Sequence, residues 1–259
     1  MRDLADKVVL VTGSGKGLGR AIALAFGAHK CRLALCGRNL PTLENAAEEA
    51  RALGAEAIAV TCDVTRREQV EFLEREIERQ FGPVQILVNN AGMAVAAAFL
   101  KMDDRLWDEV LRVNLTGTYY CSKVFLPSMV AAGWGRIINI ASTVAKVAYS
   151  HIAAYATSKH AVLGLTRALA VEFAKSGVTV NAICPGYIDT ELTHENAGTM
   201  AQKTGRSAED VLKSFKATSP QDRLIAPEEV AQLAVLLACE SARGITGQAI
   251  NVDGGAVMA

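Results

Sequence analysis

The sequence predicts a doubly wound α/β domain, a mostly parallel sheet with helices on both faces, and three observations lead there. Short β-branched runs alternate with longer amphipathic stretches along all 259 residues. A glycine cluster joins the first run to the first amphipathic stretch. No Pro/Ser-rich linker, internal repeat or low-complexity tract interrupts the pattern. Alternation of this kind requires right-handed crossovers between parallel strands. The length suits one such domain better than two, so residues 1–259 are expected to form a single domain.

Val8-Val9-Leu10-Val11 is predicted to be a buried strand leading through the glycine turn into a helix from Gly17 to about Ala28. Arg32 to Cys36 makes a second strand. The helix from Pro41 to Leu53 begins with a proline where its missing N–H costs nothing. Ala57 to Thr61 is a third strand, and Arg66 to Phe81 sets Val70, Leu73, Ile77 and Phe81 at helical spacing. Ile86 to Val88 is a fourth strand, followed by one long helix from Asp104 to Val130. Strand Arg136–Ile140, helix Ala153–Lys175 and strand Val178–Cys184 continue the series. An irregular polar stretch runs from Tyr187 to Pro220, before a helix Pro227–Cys239 and a last strand Ala249–Val252.

Composition narrows the function classes. Lys+Arg and Asp+Glu both number 27, which leaves no long-range field to hold nucleic acid or an anionic membrane. The longest apolar run, Ala91 to Leu100, falls well short of the roughly 20 residues a spanning helix needs. The start of the chain carries Asp3 and reaches a strand by Val8, unlike a signal peptide, so a cytoplasmic protein is expected. Cys31, Cys36, Cys62, Cys121, Cys184 and Cys239 include no C-x-x-C pair, and most lie in apolar stretches. They read as reduced, buried thiols, and no metal is expected.

In doubly wound sheets ligands bind just beyond the carboxyl ends of the strands. After the first strand stands Thr12-Gly13-Ser14-Gly15-Lys16-Gly17-Leu18-Gly19-Arg20. Its glycines permit a tight turn and a close backbone approach to a pyrophosphate at a helix N-terminus. Leu18 occupies the last glycine position of G-x-G-x-x-G, and the spacing is not that of an NTPase phosphate loop; the segment reads T-G-x-x-x-G-x-G. Gly13, Ser14, Lys16, Gly17, Leu18 and Gly19 are thus expected around a dinucleotide's phosphates. After the second strand, where NAD sites carry an acid, the chain has Gly37-Arg38-Asn39. Arg38, with Lys16 near the same point, would grip a 2′-phosphate that a carboxylate repels. NADP is therefore expected in preference to NAD.

Tyr155 and Lys159 are one helical turn apart on one face. A free phenol ionises near pH ~10, and a neighbouring ammonium favours its ionised form. With these residues the chain resembles the short-chain dehydrogenase/reductase family, of the compact single-domain Rossmann kind. The resemblance is carried by Thr12-Gly13 through Gly19, Cys62-Asp63-Val64, Asn89-Asn90-Ala91-Gly92, Asn114, Ser142, Tyr155 with Lys159, and Pro185-Gly186 followed by Thr190. It implies that Tyr155 exchanges a proton with the carbonyl oxygen and that Lys159 lowers the tyrosine's pKa and bonds the nicotinamide ribose. Ser142 would hold the substrate oxygen, and Asn114 would anchor a water linking Lys159 to solvent. Asp63 and Val64 would contact adenine, and Asn90, Ala91 and Gly92 would line the cofactor channel. Pro185, Gly186, Ile188 and Thr190 would meet the carboxamide and phosphates. A serine-hydrolase reading fails because Ser142 does not stand in G-x-S-x-G. His160 faces away from Lys159, His151 is assigned no role, and His29 and His194 give no signal.

Substrate choice in this family resides in the segment after Thr190, here about residues 191–219, which is expected to be a lid with a short helix from Ser207 to Phe215. Its sequence is similar to the lids of 3-hydroxybutyrate dehydrogenases and polyketide ketoreductases, with 3-oxoacyl carrier-protein reductases also near. That similarity implies a 3-oxoacyl/3-hydroxyacyl substrate, bound to CoA or a carrier. Lys203, Arg206, Lys213 and Lys216 are candidates for a carboxylate or CoA phosphate. A simple secondary-alcohol or aryl-ketone dehydrogenase fits as well, and a non-catalytic NADP-binding sensor is the alternative of another class. The resemblance also implies a homotetramer.

Overall fold

Side chains alternate across a strand, so a strand whose residues are all apolar must be covered on both sides. That condition decides the architecture. A computed structural model of the chain describes residues 2–258, leaving Met1 and Ala259, the ends of the expected domain, outside. Seven strands, β1 (Val8–Thr12), β2 (Arg32–Gly37), β3 (Glu56–Thr61), β4 (Ile86–Asn89), β5 (Gly135–Ile140), β6 (Val178–Pro185) and β7 (Ala249–Val252), form one sheet in the order β3-β2-β1-β4-β5-β6-β7. Every pairing is parallel; Leu10, for example, stands between Ala34 and Leu87.

Val9, Val11, Leu33 and Leu35 face one layer, formed by α1 (Gly17–Gly27), α2 (Leu40–Ala52) and α9 (Pro227–Ala238). Val8, Leu10, Ala34 and Cys36 face the other, formed by α3 (Arg67–Phe81), α5 (Gly117–Ala131) and α6 (Ala153–Glu172). Phe26 and Phe125, both fully buried, anchor the two layers, each stabilising by roughly 1.5–3 kcal/mol relative to exposure. Helix starts follow local chemistry. Asn39 accepts from the Thr42 N–H at 3.1 Å ahead of Pro41, and Asp103 accepts from Leu106 at 2.8 Å.

Two segments differ from the sequence-based expectation. The predicted helix 104–130 is α4 (Asp104–Leu111), a π turn over Arg112–Thr116, and α5. The irregular stretch after Tyr187 contains α7 (Glu191–Thr204) as well as the expected α8 (Ala208–Lys216). Periodicity concealed α7 because only Ala197 and Ala201 of its fourteen residues are buried. Ser207 caps α8 as foreseen, accepting from the Asp210 N–H at 3.0 Å. Together α7 and α8 hold a small core of their own, Ala197, Ala201, Val211, Phe215 and Leu224. Among the described residues, no helix is long and apolar enough to cross a membrane.

Candidate active site

The strand order reverses between β1 and β4, and there the loops beyond the two strands part to leave a crevice. Asn90 locks the two sides together. Its Nδ2 donates to the Thr12 and Gly13 carbonyls at 2.8 and 3.1 Å, while Thr12 Oγ1 accepts from the Asn90 and Ala91 N–H groups. Gly13 takes a left-handed φ of 65°, and a Cβ on Gly19 would overlap the Gly13 carbonyl oxygen and Asn90 Nδ2. The glycine spacing thus serves backbone packing as well as ligand approach.

From this crevice a cleft of about 1700 Å³ runs across the carboxyl ends of the strands. Gly13, Lys16, Gly17, Leu18, Gly19, Arg38, Asp63, Val64, Asn90, Ala91 and Gly92 line one end. Ser142, Tyr155, Lys159, Pro185, Gly186, Ile188 and Thr190 line the rest. Two residues expected there stand behind the wall. Ser14 is fully buried, and its N–H and hydroxyl both donate to the Cys36 carbonyl, at 3.2 and 3.5 Å. Asn114, 1% exposed, clamps Met93 from both sides: Oδ1 accepts its N–H at 2.8 Å and Nδ2 donates to its carbonyl at 2.9 Å. The π turn carries Asn114, and such bulges recur at functional sites.

Charges at the cofactor end are arranged asymmetrically. Arg38 makes no ion pair among the described residues. Lys16, by contrast, reaches Glu195 on α7 at 3.9 Å, while both cations line the cleft. Asp63 Oδ1 accepts from the Thr65 N–H and hydroxyl at 3.0 and 2.8 Å. Burial acts to raise its pKa, but those bonds, with Arg38 and Arg66, hold the carboxyl below its ordinary range.

The three candidate catalytic side chains sit where β5 and α6 meet. Ser142 follows β5 and its Oγ accepts from the Val144 N–H at 3.3 Å. Lys159, 5% exposed, donates to the Ile140 carbonyl at 2.7 Å, with Nζ 5.8 Å from the Tyr155 ring centre. Burial lowers the Lys159 pKa to about 8. Burial also raises the Tyr155 phenol, against a hydrogen bond with Ser142 that lowers it. The ammonium's pull on the phenol, expected from spacing, is not among the influences that shift it here; burial is the largest. Beneath them Asn89 Nδ2 donates to Asn139 Oδ1 at 2.8 Å, and Asn139 Nδ2 to Thr166 Oγ1 at 2.9 Å, tying β4, β5 and α6 into one frame.

The far end of the cleft was only partly visible in the sequence. Met93, Ala94, Val95, Ala96, Ala97 and Ala98 form an apolar wall, and Tyr149, His151, Tyr187 and Phe215 stand on it. Tyr187 stacks on Phe215 of α8, with ring centres 4.2 Å apart and planes 6° apart. Its place directly after Pro185-Gly186 was the signal available. Of the four candidate cations, only Lys203 lines the cleft; Arg206 is spent on the Asp210 carbonyl at 2.8 Å.

A parallel sheet with a glycine turn at its switch point, and Ser142, Tyr155 and Lys159 gathered on the same cleft, defines a dinucleotide-dependent oxidoreductase. The chain belongs to the short-chain dehydrogenases, whose family model matches residues 7–201. It is 36% identical over 256 residues to a D-beta-hydroxybutyrate dehydrogenase of Cupriavidus necator, covering 97% of this chain and 98% of that one. It is 36% identical over 253 residues to the 3-oxoacyl-(acyl-carrier-protein) reductase of Aquifex aeolicus, again covering 97% and 98%. Among solved structures it is similar to a variant of actinorhodin polyketide ketoreductase with NADPH. The TM-score there is 0.94, with 38% identity over 99% of this chain and 98% of the other.

Proposed function

We propose that this chain transfers a hydride between NADP(H) and a ketone or secondary alcohol, with a 3-oxoacyl or 3-hydroxyacyl thioester of CoA or a carrier as the substrate class. The observation that carries the reading is one continuous cleft with Arg38, which makes no ion pair among the described residues, at one end and Ser142, Tyr155 and Lys159 at the other. The residues fit the cofactor. A Cβ on Gly17 would meet Thr190 at 3.6 Å, and a Cβ on Gly92 would crowd Asn114 Oδ1 at 3.2 Å and approach Lys159 Nζ at 3.6 Å. Gly13, Gly17, Leu18 and Gly19 would face the pyrophosphate, and Arg38 the 2′-phosphate. Asp63 has a second oxygen left for the adenine amine, with Val64 beside it. Asn90, Ala91 and Gly92 would flank the ribose, and Pro185, Gly186, Ile188 and Thr190 the carboxamide.

The bound nicotinamide supplies or accepts the hydride. The chain's own part is position and proton. Ser142 Oγ holds the carbonyl oxygen, so charge developing there is met by a fixed donor. Tyr155 stays protonated through neutral pH and gives its proton to that oxygen in reduction. Lys159, held at the Ile140 carbonyl, takes up the ribose hydroxyls and steadies the phenolate left behind. Asn114 keeps the Met93 loop open beside Lys159 and sits in a π turn suited to anchoring a water. The segment 191–219 acts as the lid, and a cytoplasmic homotetramer completes this reading. A second reading, an aryl-ketone or simple secondary-alcohol dehydrogenase, draws on the apolar wall of Ala94, Val95, Val144 and Ile152.

Oxidation of NADPH and NADH by the purified protein with acetoacetyl-CoA, acetoacetate and a set of aryl ketones tests these readings. The expected result is NADPH-linked turnover of acetoacetyl-CoA, with a Tyr155→Phe variant slower by about 10³-fold while still binding NADPH. Preference for aryl ketones would select the second reading. NADPH binding without turnover of any ketone would favour a non-catalytic sensor.

A further inference from the structure

All six cysteines are buried and reduced, and two of them meet. Cys36 is the last residue but one of β2, and Cys62 is the first residue beyond β3. The Cys62 N–H donates to the Gly37 carbonyl at 2.8 Å, which sets Cys62 across from the neighbour of Cys36. Both side chains lie on the face of the sheet that carries Leu10 and Ala34. There the Cys36 thiol donates a hydrogen bond to the Cys62 sulfur. Of the six cysteines, Cys62 alone lines the cleft among the described residues. Cys31 and Cys239 are turned inward, each thiol donating to a carbonyl, of Leu4 and Val235.

The two thiols have unequal surroundings. The bond that Cys36 gives to Cys62, together with burial, keeps Cys36 protonated. The same bond draws the Cys62 thiol below its ordinary range, against burial and the neighbouring Asp63 carboxylate. Cys62 is therefore the nucleophile of the pair and Cys36 its proton-bearing partner. Their freedom to move differs as well. The Cys36 carbonyl is held by the Ser14 N–H and hydroxyl of the glycine turn. Cys62 lies past the end of its strand and leads straight into Asp63 and Val64. When the two sulfurs close on each other, Cys62 shifts and carries with it the residues assigned to adenine.

We infer that Cys62 and Cys36 form a peroxide-responsive dithiol beneath the adenine end of the cleft, whose disulfide displaces Asp63 and Val64 and so blocks cofactor binding; this rests on the dinucleotide reading given above. The Cys62 thiolate attacks one oxygen of the peroxide. An S–O bond forms, the O–O bond breaks, and hydroxide leaves and takes up a proton as water. The Cys36 sulfur then attacks the Cys62 sulfur. An S–S bond forms, the S–O bond breaks, and the departing hydroxide leaves with the Cys36 proton as a second water. Two electrons pass from the thiols to the peroxide. Cys62 is 2% exposed, so the cleft admits an oxidant close to water in size and not a bulky disulfide. Bound adenine would cover that approach.

The test treats the full-length enzyme with hydrogen peroxide, with and without NADPH, then alkylates free thiols and maps tryptic peptides. The expected product joins residues 33–38 to residues 52–66, the two peptides that carry the pair. NADPH affinity, read by fluorescence titration, should fall about 10- to 100-fold, the worth of one hydrogen bond to a charged group, and return with dithiothreitol. NADPH added before the peroxide should slow both changes. In Cys36→Ala the loss should persist after dithiothreitol, because a sulfenic acid without a partner thiol oxidises further. Cys62→Ala should keep its affinity through the treatment. Absence of the joined peptide from the treated parent overturns the assignment, as does NADPH binding unchanged once that peptide has formed, or an equal loss in Cys62→Ala. A reduced parent that binds no NADPH overturns instead the dinucleotide reading on which the inference stands.

Discussion

The two ends of the cleft are held by different means. At the cofactor end, Gly13, Gly19 and Asn90 pack backbone against backbone, and the strands beneath run without a break into both large apolar layers. At the substrate end, α7 and α8 rest on five buried residues of their own. They join the sheet through the Tyr187–Phe215 stack and the short pairing of Ile188 with Ile225. The first end tolerates almost no added atom; the second has open space around Gly198 and Gly205. A phosphate chain that never changes can be met by a rigid cradle. In the reading proposed above, a variable substrate would be met by a segment that rests on a small core of its own, where change is cheap.

The same substitution should therefore have opposite effects at the two ends, and the larger effect lies in the cradle. Gly19→Ala would drive a methyl group into the Gly13 carbonyl and Asn90 Nδ2. Neither can yield without breaking the bonds between β1 and β4. A loss of about 3 kcal/mol of unfolding free energy is expected, read by denaturant titration, together with loss of NADPH binding. A stable variant with intact cofactor binding would show that the cradle is softer than its packing implies.

Between the two ends stands Lys159, which belongs to neither. Its pKa falls from 10.5 to about 8 because burial penalises the charged form. Between those values the unfolded chain binds more protons than the folded one, so stability rises with pH there. The penalty is complete below pH 8 and gone above pH 10.5. Lys159→Met should accordingly be more stable than the parent by on the order of 2 kcal/mol at pH 7, with the difference shrinking as pH rises through that window. Buried thiols such as Cys31, pushed up to about 12, and Tyr155 act in the other direction at alkaline pH. They are common to both proteins and cancel in the comparison. A difference independent of pH would remove the desolvation argument.

Arg38 sharpens the comparison at the far side of the cradle. Arg38→Ala should weaken NADPH binding about 10- to 100-fold, the loss of one charge-assisted pair, and leave NADH nearly unchanged. Titration by protein fluorescence separates the two cofactors. Equal losses for both would end the 2′-phosphate assignment and with it the preference for NADP.

What the sequence disclosed follows the same division. The strands were legible because consecutive β-branched residues buried on two faces leave no other structure. The glycine turn and Tyr155 with Lys159 were legible because their chemistry is local: a few residues, one turn, one spacing. Ser14 was misplaced because spacing alone does not say which side of a turn a hydroxyl faces, and here the Cys36 carbonyl claims it. Lys16 was turned toward Glu195 by a helix that periodicity did not reveal. The π turn at Asn114 leaves almost no trace in a pattern that continues helically on both sides. Tyr187 joins Tyr149 and His151 on the cleft only through tertiary structure, and no motif links them.

The smallest effect is the most discriminating. Gly198 lies inside α7, its missing Cβ meets nothing within 4 Å, and its φ is not in the left-handed region. Alanine there costs no contact and limits the unfolded chain, so Gly198→Ala should stabilise α7 by about 0.5–1 kcal/mol. Because α7 and α8 rest on a core apart from the sheet, the gain should appear as slower amide exchange in 191–216, with little change in global unfolding. If α7 must loosen to admit substrate, the same variant should also turn over more slowly at saturation while binding NADPH as before. A rise in global stability instead would mean that α7 unfolds together with the sheet, and that the two ends of the cleft form one cooperative unit after all.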